Sequence, residues 1–185
     1  MEALRGALRV NKRPIRLMFQ DEARFGRMVR IRKCWAPPSV RPVVFNGYER
    51  QFTYVYGAVS PADGHFEWML SEKMNTVQMG AFLAQVSAAF PEEFIVMVAD
   101  GVSSHVSKEL AVPENVHLFR LPPYSPELNP TENVWDSLRE KLFPNRVYAS
   151  MEEVTSVLLE GLPAFAADKD ALKSLTLWPW INDVI

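Results

Sequence analysis

The 185-residue chain reads as a mixed α/β domain, a five-stranded sheet flanked by helices. Three observations predict this. Phe52-Thr-Tyr-Val-Tyr-Gly-Ala-Val and His65-Phe-Glu-Trp-Met-Leu are rich in aromatic and β-branched residues and flank the tight turn Pro61-Ala-Asp-Gly64, the pattern of a hairpin. Phe94-Ile-Val-Met-Val-Ala99 has no polar alternation, as befits a central strand covered on both faces. Apolar residues fall at helical spacing between these segments and again after residue 130. A meander followed by helix-crossed strands is a mixed sheet.

Residues 1–14 are basic and weakly patterned, a lead-in to a single domain over 15–185. Residues 15–21 form the first strand, with Ile15, Leu17, Phe19 and Asp21 on one face. Residues 23–50 are basic and spotted with proline, which predicts a loop with short strands and a turn at Asn46-Gly47. The hairpin follows. A helix then carries Val77 or Met79, Phe82, Leu83, Val86 and Phe90 inward, capped by Asn75 or Thr76 and stopped before Pro91. After the apolar strand, a short helix is expected over 103–110 and a fifth strand over 116–121. Asn129 as N-cap and Pro130 at the first helical position open a helix with Val134, Trp135, Leu138 and Leu142 inside. Ser150-Met-Glu-Glu153 is a capping box for the next helix. A last helix starts near Asp168, and a packed Trp178-Pro-Trp180 tail ends the chain.

No stretch of 18 apolar residues is present, so no membrane span is expected, and the N-terminus lacks the apolar run of a signal peptide. A single cysteine, Cys34, excludes an internal disulfide and fits a reducing, cytoplasmic compartment. With only His65, His105 and His117 to join it, Cys34 makes a poor zinc site. The net charge of −2 is unevenly spread: residues 1–50 hold 12 Lys/Arg against 4 Asp/Glu, and the remainder holds 8 against 18. Such asymmetry points toward nucleic acid. The densest cluster is Arg24, Arg27, Arg30, Arg32 and Lys33, read as phosphate-contacting, with a solvated arginine-rich loop as the alternative. Trp35 beside it suits stacking on a base, or burial in the core.

Three acids stand where chemistry can use them. Asp21 closes the first strand, Asp100 ends the apolar strand, and Glu132 begins a helix after the turn Leu121-Pro-Pro-Tyr-Ser-Pro-Glu-Leu-Asn-Pro-Thr-Glu132. Phosphodiester hydrolysis with two divalent ions needs several carboxylates around one point, holding ions roughly 3.5–4 Å apart. Hard oxygen ligands select Mg²⁺ or Mn²⁺. In open sheets such sites gather at the carboxyl ends of strands. Each acid also has an ordinary reading: Asp21 pairing with Arg24, Asp100-Gly101 as a turn, Glu132 as a capping-box glutamate. Glu22 rivals Asp21 but points to the opposite face.

Taken together, Asp21-Glu22, Asp100-Gly-Val-Ser-Ser-His105 and the Pro-Pro-Tyr-Ser-Pro…Asn-Pro…Glu132-Asn-Val-Trp135 segment resemble the catalytic domain of mariner-like DDE transposases, in the bacterial insertion-sequence branch. The similarity runs from about Arg16 to about Leu142, and the proline-rich segment is its most specific part. The resemblance implies an RNase H-like fold, with Asp21, Asp100 and Glu132 as a triad holding two Mg²⁺ ions, for which Mn²⁺ can substitute. It implies cleavage at the ends of a DNA element and insertion through a 3′-hydroxyl, typically at TA. It implies a homodimer on DNA, in the nucleoid. His105 is a further catalytic candidate, near the scissile phosphate or orienting a water, with a packing histidine as the alternative. Tyr124 and Asn129 are expected to shape the turn that presents Glu132.

Two departures stand out. The residue after the second aspartate is commonly Asn in this family and is Gly101 here, which removes a side chain near the metal or substrate. Full-length relatives carry N-terminal helix-turn-helix modules, whereas this chain starts almost at the first catalytic strand. The expectation is a fragment, or a catalytic half that works with a separate helix-turn-helix polypeptide. A plain RNase H-like nuclease and a catalytically silent protein that binds DNA or a transposase are the rival readings.

Overall fold

The computed structural model describes residues 6, 11–27, 33–43, 49–100, 110–122 and 125–183. One five-stranded sheet organises them, built from β1 (Ile15–Gly26), β2 (Phe52–Ser60), β3 (His65–Ser71), β4 (Phe94–Ala99) and β5 (Val116–Arg120). Their order across the sheet is β3-β2-β1-β4-β5. The β1/β2 and β2/β3 pairs are antiparallel, and β1/β4 and β4/β5 are parallel. The hairpin turn closes where expected: Gly64 adopts φ 68°, and its N–H donates to the Ser60 carbonyl at 2.9 Å. A left-handed φ is open to glycine at little steric cost.

The parallel β1/β4 pairing requires a crossover, supplied by α1 (Thr76–Ala89). Asn75 caps it by accepting the Gln78 N–H at 2.9 Å. Met79, Phe82, Leu83 and Val86 form its buried stripe, against Met18, Tyr56, Ala58, Ile95 and Met97 of the sheet. Val77 is exposed, so Met79 is the first inward residue, and Phe90 forms the helix C-cap rather than its last inward turn.

The opposite sheet face carries Phe19, Ala23, Phe25, Val55, Val59, Phe66 and Val98. It is covered by α2 (Thr131–Leu142), α3 (Met151–Ala167), α4 (Lys169–Thr176) and α5 (Pro179–Asn182). Alternation along β1 therefore assigns odd positions to the α2 side and even positions to the α1 side.

Four further expectations need correction. β1 continues through Gly26 instead of stopping at Asp21, because Ala23 and Phe25 keep the alternation and pair with Val55 and Thr53. Described residues 33–43 contain a turn but no strand; the Val40 N–H donates to the Pro37 carbonyl at 3.1 Å. The helix expected from Pro130 begins at Thr131, with Pro130 itself at the cap position. The single last helix is two, since Pro179 cannot continue α4 and instead opens α5. The short helix over 103–110 lies almost wholly outside the described residues, and so does the Asn46-Gly47 turn. No helix among the described residues is long and apolar enough to cross a membrane.

Candidate active site

Parallel pairing brings two of the acids together. Gln20 on β1 lies opposite Ala99 on β4, the last pair of the ladder. Asp21 and Asp100 are each one residue further on. By alternation Asp21 shares the α2 face with Phe19, and Asp100 extends the row of Val96 and Val98. Glu22 falls on the other face, opposite Tyr56 of β2.

The third acid arrives on α2, whose first turn is stitched to the same strand. The Asn129 side chain donates through Nδ2 to the Gln20 carbonyl at 3.1 Å. Its Oδ1 accepts the Thr131 N–H at 3.1 Å. The Thr131 hydroxyl donates to the Phe19 carbonyl, also at 3.1 Å. Asn129 and Thr131 are both buried, so these bonds are formed away from water. They fix the start of α2 beside the two residues that precede Asp21. Glu132, next in sequence and exposed, is thereby held near the sheet end. With Pro130 at the cap position, Glu132 is the second helical residue, one short of the capping-box place.

These contacts carry a prediction. Asn129→Ala strands the Gln20 carbonyl and the Thr131 N–H and should cost about 1–3 kcal/mol. Urea denaturation measures it; an unchanged midpoint would mean the stitching bonds do not anchor α2.

The electrostatics of Asp21 agree with the topology. Its carboxyl is pushed up to about 7, first by burial, then by the charges of Glu132, Glu22 and, more weakly, Asp100, against a backbone hydrogen bond at Glu22 that lowers it. The charges that act on it are negative. Arg24, the alternative ion-pair partner, is exposed and places its guanidinium 5.2 Å from the Phe52 ring centroid. Asp21 is instead held by Trp135, whose Nε1–H donates to Oδ2 at 2.9 Å. Helical periodicity marks Trp135 only as core and carries no sign of this contact.

Among the described residues, no three His, Cys, Asp or Glu side chains are gathered closely enough to cage an ion. The acids share one end of the sheet and one another's field without forming a closed ligand set. The donor chemistry nevertheless suits a hard divalent cation: oxygen donors among the described residues, with surplus negative charge around a half-buried carboxyl.

The remaining candidates scatter. Arg27 is committed to the protein, donating through Nε to the Tyr148 carbonyl at 3.0 Å and through a terminal nitrogen to Gln51 and Glu49. Lys33 and Trp35 are exposed, and Trp35 fully so, which removes the buried-aromatic alternative for it. The Trp178/Trp180 tail is only partly core: Trp178 packs against the cluster, and Trp180 is 44% exposed with its ring edge-on to Phe19. Cys34 is exposed and free. His65 pairs with Glu67 at 2.8 Å. Arg30, Arg32, Gly101, His105 and Tyr124 lie outside the described residues.

A family model described as DDE superfamily endonuclease matches residues 16–155. The uncharacterized protein y4pE/y4sA of Sinorhizobium fredii (strain NBRC 101917 / NGR234) is 33% identical over 106 residues, covering 57% of this chain and 78% of that protein. Among solved structures, the Mos1 transposase paired-end complex with left transposon end superposes with TM-score 0.62 at 19% identity, over 95% of this chain and 55% of that one. The mariner Mos1 paired end complex with Mg gives 0.60 at 16% identity, over 87% and 51%. The fold is thus shared with about half of each Mos1 chain, as the RNase H-like expectation required. The chain spans about half the length of those Mos1 chains.

Proposed function

Since the chain belongs to the DDE superfamily endonuclease family, we propose that it is the catalytic domain of a mariner-like transposase of the insertion-sequence branch. It cleaves phosphodiesters at the ends of a DNA element and joins the freed 3′-hydroxyl to target DNA. The observation that supports this reading is that Asp21 and Asp100 follow the last pair of one parallel ladder, and that the Asp21 carboxyl is raised by burial first and then by the charges of Glu132, Glu22 and Asp100.

Asp21, Asp100 and Glu132 would hold two divalent ions, Mg²⁺ or, in its place, Mn²⁺; Mos1 complexes exist with each metal. When bound, such ions stabilise the charge that develops on the attacking and leaving oxygens. The protein's own part is positional. Asp21 is fixed on a strand and held from behind by Trp135, and Asp100 ends the neighbouring strand. Glu132 is exposed at the start of the stitched helix, and its charge acts on Asp21. Lys33, Arg24 and Trp35 are exposed and suited to contact DNA, alongside Arg30 and Arg32 from the same basic segment. A homodimer on paired ends, and a helix-turn-helix polypeptide for end recognition, complete the reading.

The test is incubation of the chain with supercoiled plasmid and a 3′-hydroxyl oligonucleotide in Mg²⁺ or Mn²⁺. Nicking and joining together are expected. Nicking alone favours the plain nuclease, and DNA retention without either favours the silent protein.

A pH dependence follows from the raised Asp21 carboxyl. Its folded value, about 7, lies above the unfolded value, which is about 3.9. In the metal-free protein the stabilisation from this group is therefore complete below about pH 4 and lost as pH rises through 7. A divalent ion competes with the proton, so Mn²⁺ should raise the melting temperature more at pH 8 than at pH 5. Equal increments at the two pH values would argue against a metal at Asp21.

A further inference from the structure

The indole of Trp135 touches Asp21 while belonging to the core. Its ring is 1% exposed and lies edge-on to Phe25 and Phe66, with centroids 6.4 and 5.9 Å away. Its seat on the sheet is Gly57. A Cβ there would stand 2.4 Å from the indole Cη2, 2.8 Å from Cζ2 and 2.9 Å from the Phe66 ring, so any side chain displaces the ring. Gly57 is also the residue directly opposite Asp21 in the β1/β2 ladder. One missing side chain on β2 thus makes room for an indole beside the carboxylate that β1 presents. A buried indole N–H needs an acceptor, and here it finds Asp21 Oδ2 at 2.9 Å.

We propose that Trp135, seated by Gly57, is a positioning residue for Asp21: its N–H holds Oδ2 and fixes the carboxylate orientation in which a divalent cation is bound. This rests on the reading of Asp21 as a metal ligand. A carboxylate offers about four lone-pair sites, so one donor leaves capacity for metal. A carboxylate free to turn about its last torsion would have to be ordered each time an ion bound, whereas the indole orders it beforehand. Outer partners of this kind orient metal ligands, and their loss typically lowers metal affinity by about 10–100-fold.

The experiment is titration of the full chain with Mn²⁺ alone, by calorimetry, well below the melting temperature. Wild type is compared with Asp21→Asn, Trp135→Phe, and a chain with β-(3-benzothienyl)alanine at position 135, which keeps the bicyclic shape and replaces N–H by sulfur. Both changes at 135 should weaken Mn²⁺ binding by about tenfold or more, with the benzothienyl chain melting close to wild type. A purely structural Trp135 predicts that the benzothienyl chain binds Mn²⁺ like wild type, and that result overturns the proposal. If Asp21→Asn also binds like wild type, the metal-ligand reading itself fails. Loss in Asp21→Asn with wild-type binding in both Trp135 replacements sinks the positioning role alone.

Discussion

Asp100→Asn should abolish metal-dependent DNA cleavage while leaving the fold intact. Asparagine keeps the size of the side chain and one acceptor oxygen but removes the charge that a cation requires. Asp100 sits just past the end of β4 and contributes no apolar surface to either core cluster. Its carboxylate adds to the repulsion that raises Asp21, so neutralising it relieves the metal-free protein. On the proposed triad, loss of one ligand forfeits several kcal/mol of transition-state stabilisation, on the order of a thousandfold or more in rate. The measurement is plasmid nicking in Mn²⁺ beside thermal melts. Near-wild-type cleavage by the variant would sink the triad assignment; lost cleavage with a collapsed melt would assign Asp100 to the fold instead.

Phe82→Ala should be the most damaging single truncation on the α1 side. Phe82 is wholly buried, its ring centroid 5.8 Å from that of Tyr56, amid Met79, Leu83, Ile95 and Met97. Removing a buried phenyl costs about 3–5 kcal/mol, a large part of what a domain of this kind has in reserve. Because the cavity opens on the face away from Asp21 and Trp135, cleavage per folded molecule should survive at low temperature. A folded Phe82→Ala protein with no activity would show that the α1 layer also shapes the site.

The hairpin, the doubly covered β4 and the α1 stripe were legible because each rests on a local pattern that tertiary packing did not override. The end of β1 is hidden in the sequence because charged residues mask the alternation: Ala23 and Phe25 are apolar, but Glu22, Arg24 and Arg27 before, between and after them resemble a loop. The start of α2 was misplaced by one residue because Asn129 does bond to Thr131, as a cap would, yet gives its other end to β1. Nothing in a linear pattern announces a bond spanning 109 positions. The Asp21–Trp135 contact escaped for the same reason, and its one visible trace was the glycine inside a strand otherwise rich in aromatic and β-branched residues. A strand glycine often marks a close approach, and at Gly57 the approaching group is the indole.

The internal commitments of two arginines change what the basic N-terminal segment offers to DNA. Arg27 spends its donors on Tyr148, Gln51 and Glu49, and Arg16 is held by Glu93 and Asp63. Each phosphate neutralised on B-DNA contributes roughly 0.9 to the slope of log affinity against log salt, through release of condensed counterions. Cations already balanced inside the protein release none. On the proposed DNA-binding role, the steepness of salt dependence is therefore set by the unbalanced exposed cations, and the twelve Lys/Arg of the first fifty residues overstate it by at least these two.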